Sequence, residues 1–509
     1  MPFNYRINLI IRRHFCISGG FLVNLFGRRK IYTTTENITS ENVINELNTL
    51  LSAHTSNMME MEYLYWYRRG VQPILERKKV VRPEINNRVT ENHAAEIVSF
   101  KNGYFLTQPA FYISRREDVK TNEKVKKLNE YLYLSGKQQA DNMLTDWFHT
   151  VGLGVLYVEP SDEQEIPVKA YTLDPRSAFV VYSRKPGNEP VMGVNIVIIG
   201  RAGQTAEAIF DVFTKKKIFR ISGGITGQII TGQPITATAI SVISEESNIL
   251  AEIPIVEYQY ENNRMGSFEQ VISLLDAINA VQSNRIDGIE QFIQSLMIFY
   301  NCQLGEDENG EPITPNYIRQ AGSIFLKSNG QDKADLKILS EQLDQTQTQV
   351  LVDYMYQQVL TICGMPSTTK GGSSTSDTGT AVLYRDGWYQ ADTYARNTED
   401  LFKCSNRHFD KVFTKILNTK TNLDIGLADF ELQFVRNETA NILVKTQAAM
   451  NLKELGFSPE LAFAKSGVSN DPVADVENSK TYIKAKWGAQ DNTEVIDETG
   501  INLNSLVSV

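Results

Sequence analysis

Apolar positions recur at three- and four-residue spacing over residues 39–67, where Val43, Ile44, Leu47, Leu50 and Leu51 mark one face of a helix. The chain then turns at Gly70 and Pro73. Residues 91–100 predict a short helix closed by an Asn102-Gly103 turn, followed by an extended apolar piece. Helical spacing resumes over 119–149, with Leu128, Leu132, Met143, Leu144, Trp147 and Phe148 as core candidates. Between residues 151 and 260 the period changes. Runs such as GLGVLYVEP, VMGVNIVIIG and AEAIFDVFTKKKIFRISG are short, β-rich and broken by Gly, Pro, Asn and Asp. They predict an α+β domain with an antiparallel sheet, in which the charge-poor GGITGQIITGQPITATAISVIS forms a long hairpin.

From Ser267 the helical period returns. Ser267 with Gln270 fits a capping box. Val271, Leu274, Leu275, Ile278, Val281, Ile286, Ile289, Phe292, Ile293 and Leu296 then predict one apolar stripe on a helix roughly 45 Å long at 1.5 Å per residue. Residues 304–327 read as loop ending in a short strand, SIFLK. A second helix is expected from Leu336 to Gly364, its other face rich in Gln and Thr. A third long helix runs to about Asn418. ADFELQFVRN alternates like a strand expected to return to the earlier sheet, and short helices between residues 439 and 487 finish the fold.

Between the second and third of these helices lies STTKGGSSTSDTGT, residues 367–380. It has no hydrophobic side chain, and its charges are Lys370 and Asp377. Such a segment buries too little apolar surface to offset the entropy of ordering it. A polar loop pinned at both ends by helices is a functional loop or a linker.

Composition narrows the class. The 509 residues are 42% hydrophobic and 22% charged, enough for two to four domains and a large core. A formal charge of −9 leaves no general basic surface for gripping nucleic acid. Cys16, Cys302, Cys363 and Cys404 are far apart, without zinc spacing or a disulfide framework, which fits a reducing compartment. The first thirty residues carry Arg6, Arg12, Arg13, Arg28, Arg29 and Lys30 and no acid, around an apolar run over 15–26. They read as a disordered basic arm, an upstream start, or a targeting or membrane-surface segment; the run is too short to span a bilayer core of about 30 Å.

Catalytic signals are weak. In the polar loop, lysine precedes Gly371-Gly372 instead of following it, so no Walker A motif holds phosphate. His93 with Glu96, and Asp146 with His149, have one-face spacing but lack a third metal ligand. Asp174 in DPRS has no catalytic partner, and GxSxG is absent. In a helix-turn-helix reading of residues 452–469 the recognition helix, ELAFAKSG, offers only Lys465 to bases, so a packed helical cap is the simpler reading.

Three stretches together resemble the portal proteins of tailed bacteriophages, in particular portals of long-tailed phages of Gram-positive hosts. NRVTENHAAEIVSFKNGYFLTQPAFY looks like the family's helix leading into a Pro-aromatic extension. SFEQVISLLDAINAVQSNRIDGIEQF looks like its signature helix, and CGMPSTTKGGSSTSDTGTAVLYRDGW like its Gly-Met-Pro turn, polar loop and following helix.

The resemblance implies a predominantly helical α+β fold: a basic arm (1–37), wing (38–266), stem helix (267–301), clip (302–335), second stem helix (336–365), tunnel loop (366–380), tunnel helix with a strand returning to the wing (381–438), crown (439–487) and tail (488–509). It implies a ring of about twelve subunits at one capsid vertex. Double-stranded DNA would pass through during packaging and ejection, brushing Thr368, Thr369, Lys370, Ser373, Ser374 and Asp377. The clip, with Glu306, Asp307, Glu308, Tyr317 and Arg319, would dock the terminase ATPase and later the head-tail adaptor; capsid and scaffolding proteins are further partners. Assembly in the host cytoplasm, no membrane, no cofactor, no metal and no catalytic residue are expected. A sparse ring of Lys370 within an acidic body suits passage better than a many-lysine collar, which would hold DNA through counterion release. The alternatives are a nucleic-acid-processing enzyme with a Gly/Ser-rich lid, and a monomeric adhesion or scaffold protein.

Overall fold

The computed structural model describes residues 27–199, 206–226, 236–293, 296–304, 326–328, 335–339, 346–367, 387–434, 442–469 and 472–482, apart from single positions within them. Contacts divide the chain into two compact units. The first comprises residues 1–65, 95–270 and 363–509; the second comprises 66–94 and 271–362.

The first unit begins by correcting the reading of the basic arm. Arg28 is 2% exposed. Its guanidinium meets Glu269 at 2.5 Å and Glu60 at 2.9 Å, and its backbone N–H donates to the Arg264 carbonyl. A buried guanidinium needs such partners, because an unpaired one would keep its full desolvation cost. β1 (Ile31–Thr33) then pairs in parallel with β5 (Ala178–Ser183). The expectation of an arm outside the fold therefore fails from residue 27 onward; residues 1–26 lie outside the described residues.

α1 (Val43–Arg68) buries Val43, Leu47, Leu50 and Leu51, the predicted face. α2 (His93–Phe105) runs through Asn102-Gly103, so the turn expected there is absent. The helix continues because Phe105 is buried against Phe148, Phe402 and Phe434, which outweighs the weak helix preference of one glycine. β2 (Phe111–Ser114) follows. The expected helix over 119–149 is two, α3 (Val119–Leu134) and α4 (Lys137–Val151), broken at Ser135-Gly136.

The β-rich region is as expected an antiparallel array. β3 (Leu153–Pro160) and β4 (Val168–Leu173) form a three-stranded sheet with β10 (Ile255–Gln259), in the order β10-β3-β4. β5, β6 (Pro190–Ile199), β7 (Ala206–Thr214), β8 (Lys217–Thr226) and β9 (Thr236–Ser247) run as a meander beside β1. β8 and β9 form the predicted long hairpin, with Thr226 opposite Thr236.

The second unit and its entry from Ser267 differ from expectation at three points. α5 (Ile272–Ile293) starts after a short 3-10 turn, and no capping box forms: the Ser267 hydroxyl has no partner, while Glu269 accepts from the Gly266 N–H at 2.7 Å. The buried face of α5 is not the all-apolar stripe. Asn279, Ser283 and Asp287 are buried with Leu275 and Ile278, whereas Ile286 and Ile289 are exposed. The polar row meets residues 67–91: Tyr67 donates to Asp276, Asn279 bonds Gln72 and the Glu91 N–H, Ser283 accepts from the Val89 N–H, and Asp287 accepts from the Asn87 N–H. Beyond α5, β11 (Leu296–Tyr300) pairs with β14 (Asp335–Leu339), and β12 (Cys302–Leu304) with β13 (Leu326–Ser328). The helix expected from Leu336 is thus a strand there, and α6 starts at Thr346 and ends at Ile362. Backbone pairing with Leu296–Tyr300 overrides the local helical spacing.

Back in the first unit, α7 (Trp388–Thr421) buries Phe402, Phe409, Val412, Phe413, Ile416 and Leu417 in a core shared with α3, α4, β3 and β10. Each such side chain contributes roughly 1.5–3 kcal/mol. The same face carries a polar cluster: Asn406 donates to Asp410 at 2.8 Å and accepts from Tyr258 at 2.9 Å, while Tyr112 donates to Asp410. Lys137, bonded to Asp141, has its ammonium 4.6 Å from the Phe409 ring centre. β15 (Phe430–Gln433) does return, but to β2 in a separate two-stranded ladder, with Phe430 opposite Ser114. α8 (Ile442–Glu454), α9 (Pro459–Ser466) and α10 (Pro472–Asn478) are the three terminal helices, and Ser458 caps α9 by accepting from the Leu461 N–H.

Candidate functional site

The residues named for contact with DNA (Thr368, Thr369, Lys370, Ser373, Ser374 and Asp377) lie outside the described residues. So do those named for docking: Glu306, Asp307, Glu308, Tyr317 and Arg319. The described structure supplies the roots of the polar loop instead.

The two roots are neighbours. A Cβ built on Gly387 would lie 3.7 Å from the Pro366 Cα and 3.8 Å from the Met365 carbonyl oxygen. The described chain therefore breaks off after residue 367 and resumes at residue 387 at neighbouring points. On the outgoing side Cys363, Met365 and Ser367 are all buried, and the Cys363 thiol reaches the Ser267 carbonyl at 3.6 Å. Gly364 has φ +63°, and a Cβ there would meet the Tyr394 ring at 2.3 Å. Glycine is required on both counts, conformation and space. On the returning side Gly387 precedes α7, and Trp388 lies with its ring 6.3 Å from Phe100 and 6.1 Å from Tyr104.

The bed of this anchor is the second half of α2. Phe100 and Tyr104 stack on one another and face Trp388, while the Lys101 ammonium lies 5.2 Å from the centre of the Tyr394 ring. Lys101 is 8% exposed. Burial pulls its pKa down, opposed by the neighbouring Cys363 and Glu261. Burial likewise pushes the Cys363 thiol up to about 12, so it is an inert packing group rather than a nucleophile. Glu261 is also raised by burial, against the pull of Asn263 and Lys101. α2 is itself fixed from below: Asn102 donates to Asp146 at 2.8 Å and bonds His149 Nδ1 at 2.6 Å.

All three signature stretches thus converge, the first through Phe100, Lys101 and Tyr104, the second through the Ser267 carbonyl, and the third through Cys363, Gly364 and Trp388. Sequence reading did not single out Lys101, Trp388 or Tyr394. The available signal was the placement of an aromatic residue directly after the loop and another two helical turns on.

Other candidates have structural roles. Asp146 and His149 both engage Asn102. His93 bonds Glu91 at 3.2 Å and packs on Tyr356. Asp174 pairs with Arg176 in a turn, and Arg176 also meets Glu62. Among the described residues no group of three or more His, Cys, Asp or Glu could hold a metal ion, and no helix is long and apolar enough to cross a membrane.

Residues 47–486 match the sequence profile described as phage portal protein, SPP1 Gp6-like. The chain belongs to the phage portal protein family. As a portal protein it is a component of the virion and serves as a portal channel and head-tail connector. Among solved structures, a chain described as "Neck of empty GTA particle computed with C6 symmetry" is 12% identical to this portal chain at a TM-score of 0.40, covering 74% of it and 90% of that chain. A sequence search of curated proteins finds no match.

Proposed function

We propose that the chain is one subunit of a closed ring, of about twelve copies related by a single head-to-tail contact, around a passage for double-stranded DNA. Residues 367–380 form the polar collar that DNA meets. The observation that supports this reading is the adjacency of Pro366 and Gly387, which places the two ends of residues 367–386, the polar stretch 367–380 and the six residues after it, at neighbouring points. A collar of hydroxyls makes transient bonds to phosphates, and one Lys370 per subunit in a chain of charge −9 adds attraction without retention. The wing, clip, crown and tail keep the boundaries given above as part of this proposal, with α5 (Ile272–Ile293) and α6 (Thr346–Ile362) as the stem helices and the clip receiving the terminase ATPase and then the adaptor. Exposed apolar side chains on α5 and α6, among them Ile286, Ile289, Val350 and Tyr354, are suited to burial between neighbouring copies. Capsid and scaffolding proteins complete the partners, and assembly takes place in the host cytoplasm. The chain itself turns over no substrate; the packaging motor supplies the energy.

The test is the native mass of the purified protein, with negative-stain images and a nucleotide- and nucleic-acid-hydrolysis assay. A ring with a central hole and no hydrolysis is expected, with Lys370→Ala and Asp377→Asn changing packaged DNA but not ring mass. A monomer that hydrolyses either substrate would sink the proposal.

A further inference from the structure

The geometry points to Tyr394 as a positioning residue of the channel, fixing the root of the polar loop through its contacts with Gly364 and Lys101; this rests on the reading of residues 367–380 as the collar. Three observations converge on this ring. It fills the space beside Gly364, leaving no room for even a methyl group. It lies 5.2 Å from the buried Lys101 ammonium, a cation–π contact that ties α7 to α2. It also borders a cavity of about 510 Å³ with Glu261, Asn397 and Asp400, so among the described residues one side of the ring faces open space.

A ring that is packed against the outgoing root but 36% exposed overall can transmit a displacement. Trp388 holds the returning root on Phe100 and Tyr104 of the same helix α2. Both roots are thus referred to residues 100–104. Tyr394 is the element that joins the outgoing root to that bed, since Gly364 has no side chain with which to do so. Removing the ring frees the Gly364 backbone from its neighbour and leaves Lys101 without its aromatic partner. The outgoing root then loses its fixed position, while the Trp388 side keeps its own.

The full-length protein would be compared as Tyr394→Phe and Tyr394→Ala in two assays. The first is the rate of limited tryptic cleavage at Lys370 and Arg385, which flank much of the loop. The second is the amount of nuclease-protected DNA in particles assembled with each variant. Tyr394→Ala is expected to raise cleavage at least tenfold and to lower protected DNA by a similar factor, with Tyr394→Phe close to the parent in both. Unchanged cleavage in Tyr394→Ala overturns the proposal. Raised cleavage with normal packaging supports positioning by Tyr394 and overturns the collar reading, which separates the two. Should Tyr394→Ala not fold, Lys101→Met serves instead, since it keeps the ring and removes the cation. A several-fold rise in cleavage is then expected, and no rise overturns the inference.

Discussion

The Tyr112 hydroxyl donates to the Asp410 carboxylate across 298 residues of sequence, binding β2 to the middle of α7. Around them stand Asn406, Tyr258, Lys137, Asp141 and Arg407, and little water reaches the group. Burial raises the Asp410 pKa from 3.8 to about 7, opposed by the Tyr112 hydrogen bond and the charges of Lys137 and Arg407. A carboxyl raised in the folded state binds more protons there than in the unfolded chain between about pH 4 and 7. Stability is therefore highest below that window and falls as pH rises through it, then levels off. Asp410→Asn removes this dependence. Thermal melts from pH 5 to 8 should show a flatter profile for the variant, with a gain at pH 8 relative to pH 5 of up to about 3 kcal/mol, since about two pH units of the window lie above pH 5.

Arg28 sets a second expectation. Replacing it with Met leaves Glu269 and Glu60 facing each other without their cation, a loss of about 3–5 kcal/mol. Adding Glu269→Gln removes one of the stranded charges. Denaturant midpoints should fall sharply for the single variant and recover in part for the double one; equal losses in both would contradict the role given to the ion pair.

In the second unit, Asn279 is fully buried and serves two partners, Gln72 and the Glu91 N–H. Asn279→Ala strands both, at a cost of about 1–3 kcal/mol for each unsatisfied group. Hydrogen exchange at the Glu91 amide should speed up by tenfold or more, with amides in the β6–β7 ladder unchanged.

Gly364→Ala puts a methyl into the Tyr394 ring and a side chain onto a left-handed backbone. A destabilisation of about 1–3 kcal/mol is expected. The second-site change Tyr394→Ala should relieve the steric part, which a double-mutant cycle of unfolding free energies would show as coupling.

Periodicity captured the elements whose burial is apolar. Val43, Leu47, Leu50 and Leu51 face inward on α1, and Phe402, Phe409 and Phe413 on α7, because spacing of 3.6 residues alone determines which side is buried. It misjudged α5, where Asn279, Ser283 and Asp287 are buried and Ile286 and Ile289 exposed. That inversion depends on partners some two hundred residues away, which no local window contains. The strand at Asp335–Leu339 escaped for the same reason, since its helical spacing was overridden by pairing with Leu296–Tyr300. Among candidate functional residues, the polar loop stood out by composition, whereas Tyr394 and Lys101 become visible only once their helices are packed together.

The adjacency of Pro366 and Gly387 makes loop length a free variable. Because the chain departs and returns at one point, residues can be inserted or removed between them without moving α6 or α7. The entropic penalty of a longer closed segment rises only logarithmically, about 0.6 kcal/mol per doubling. On the proposed reading of residues 367–380 as the collar, small insertions and deletions in this one stretch would alter the bore of the channel.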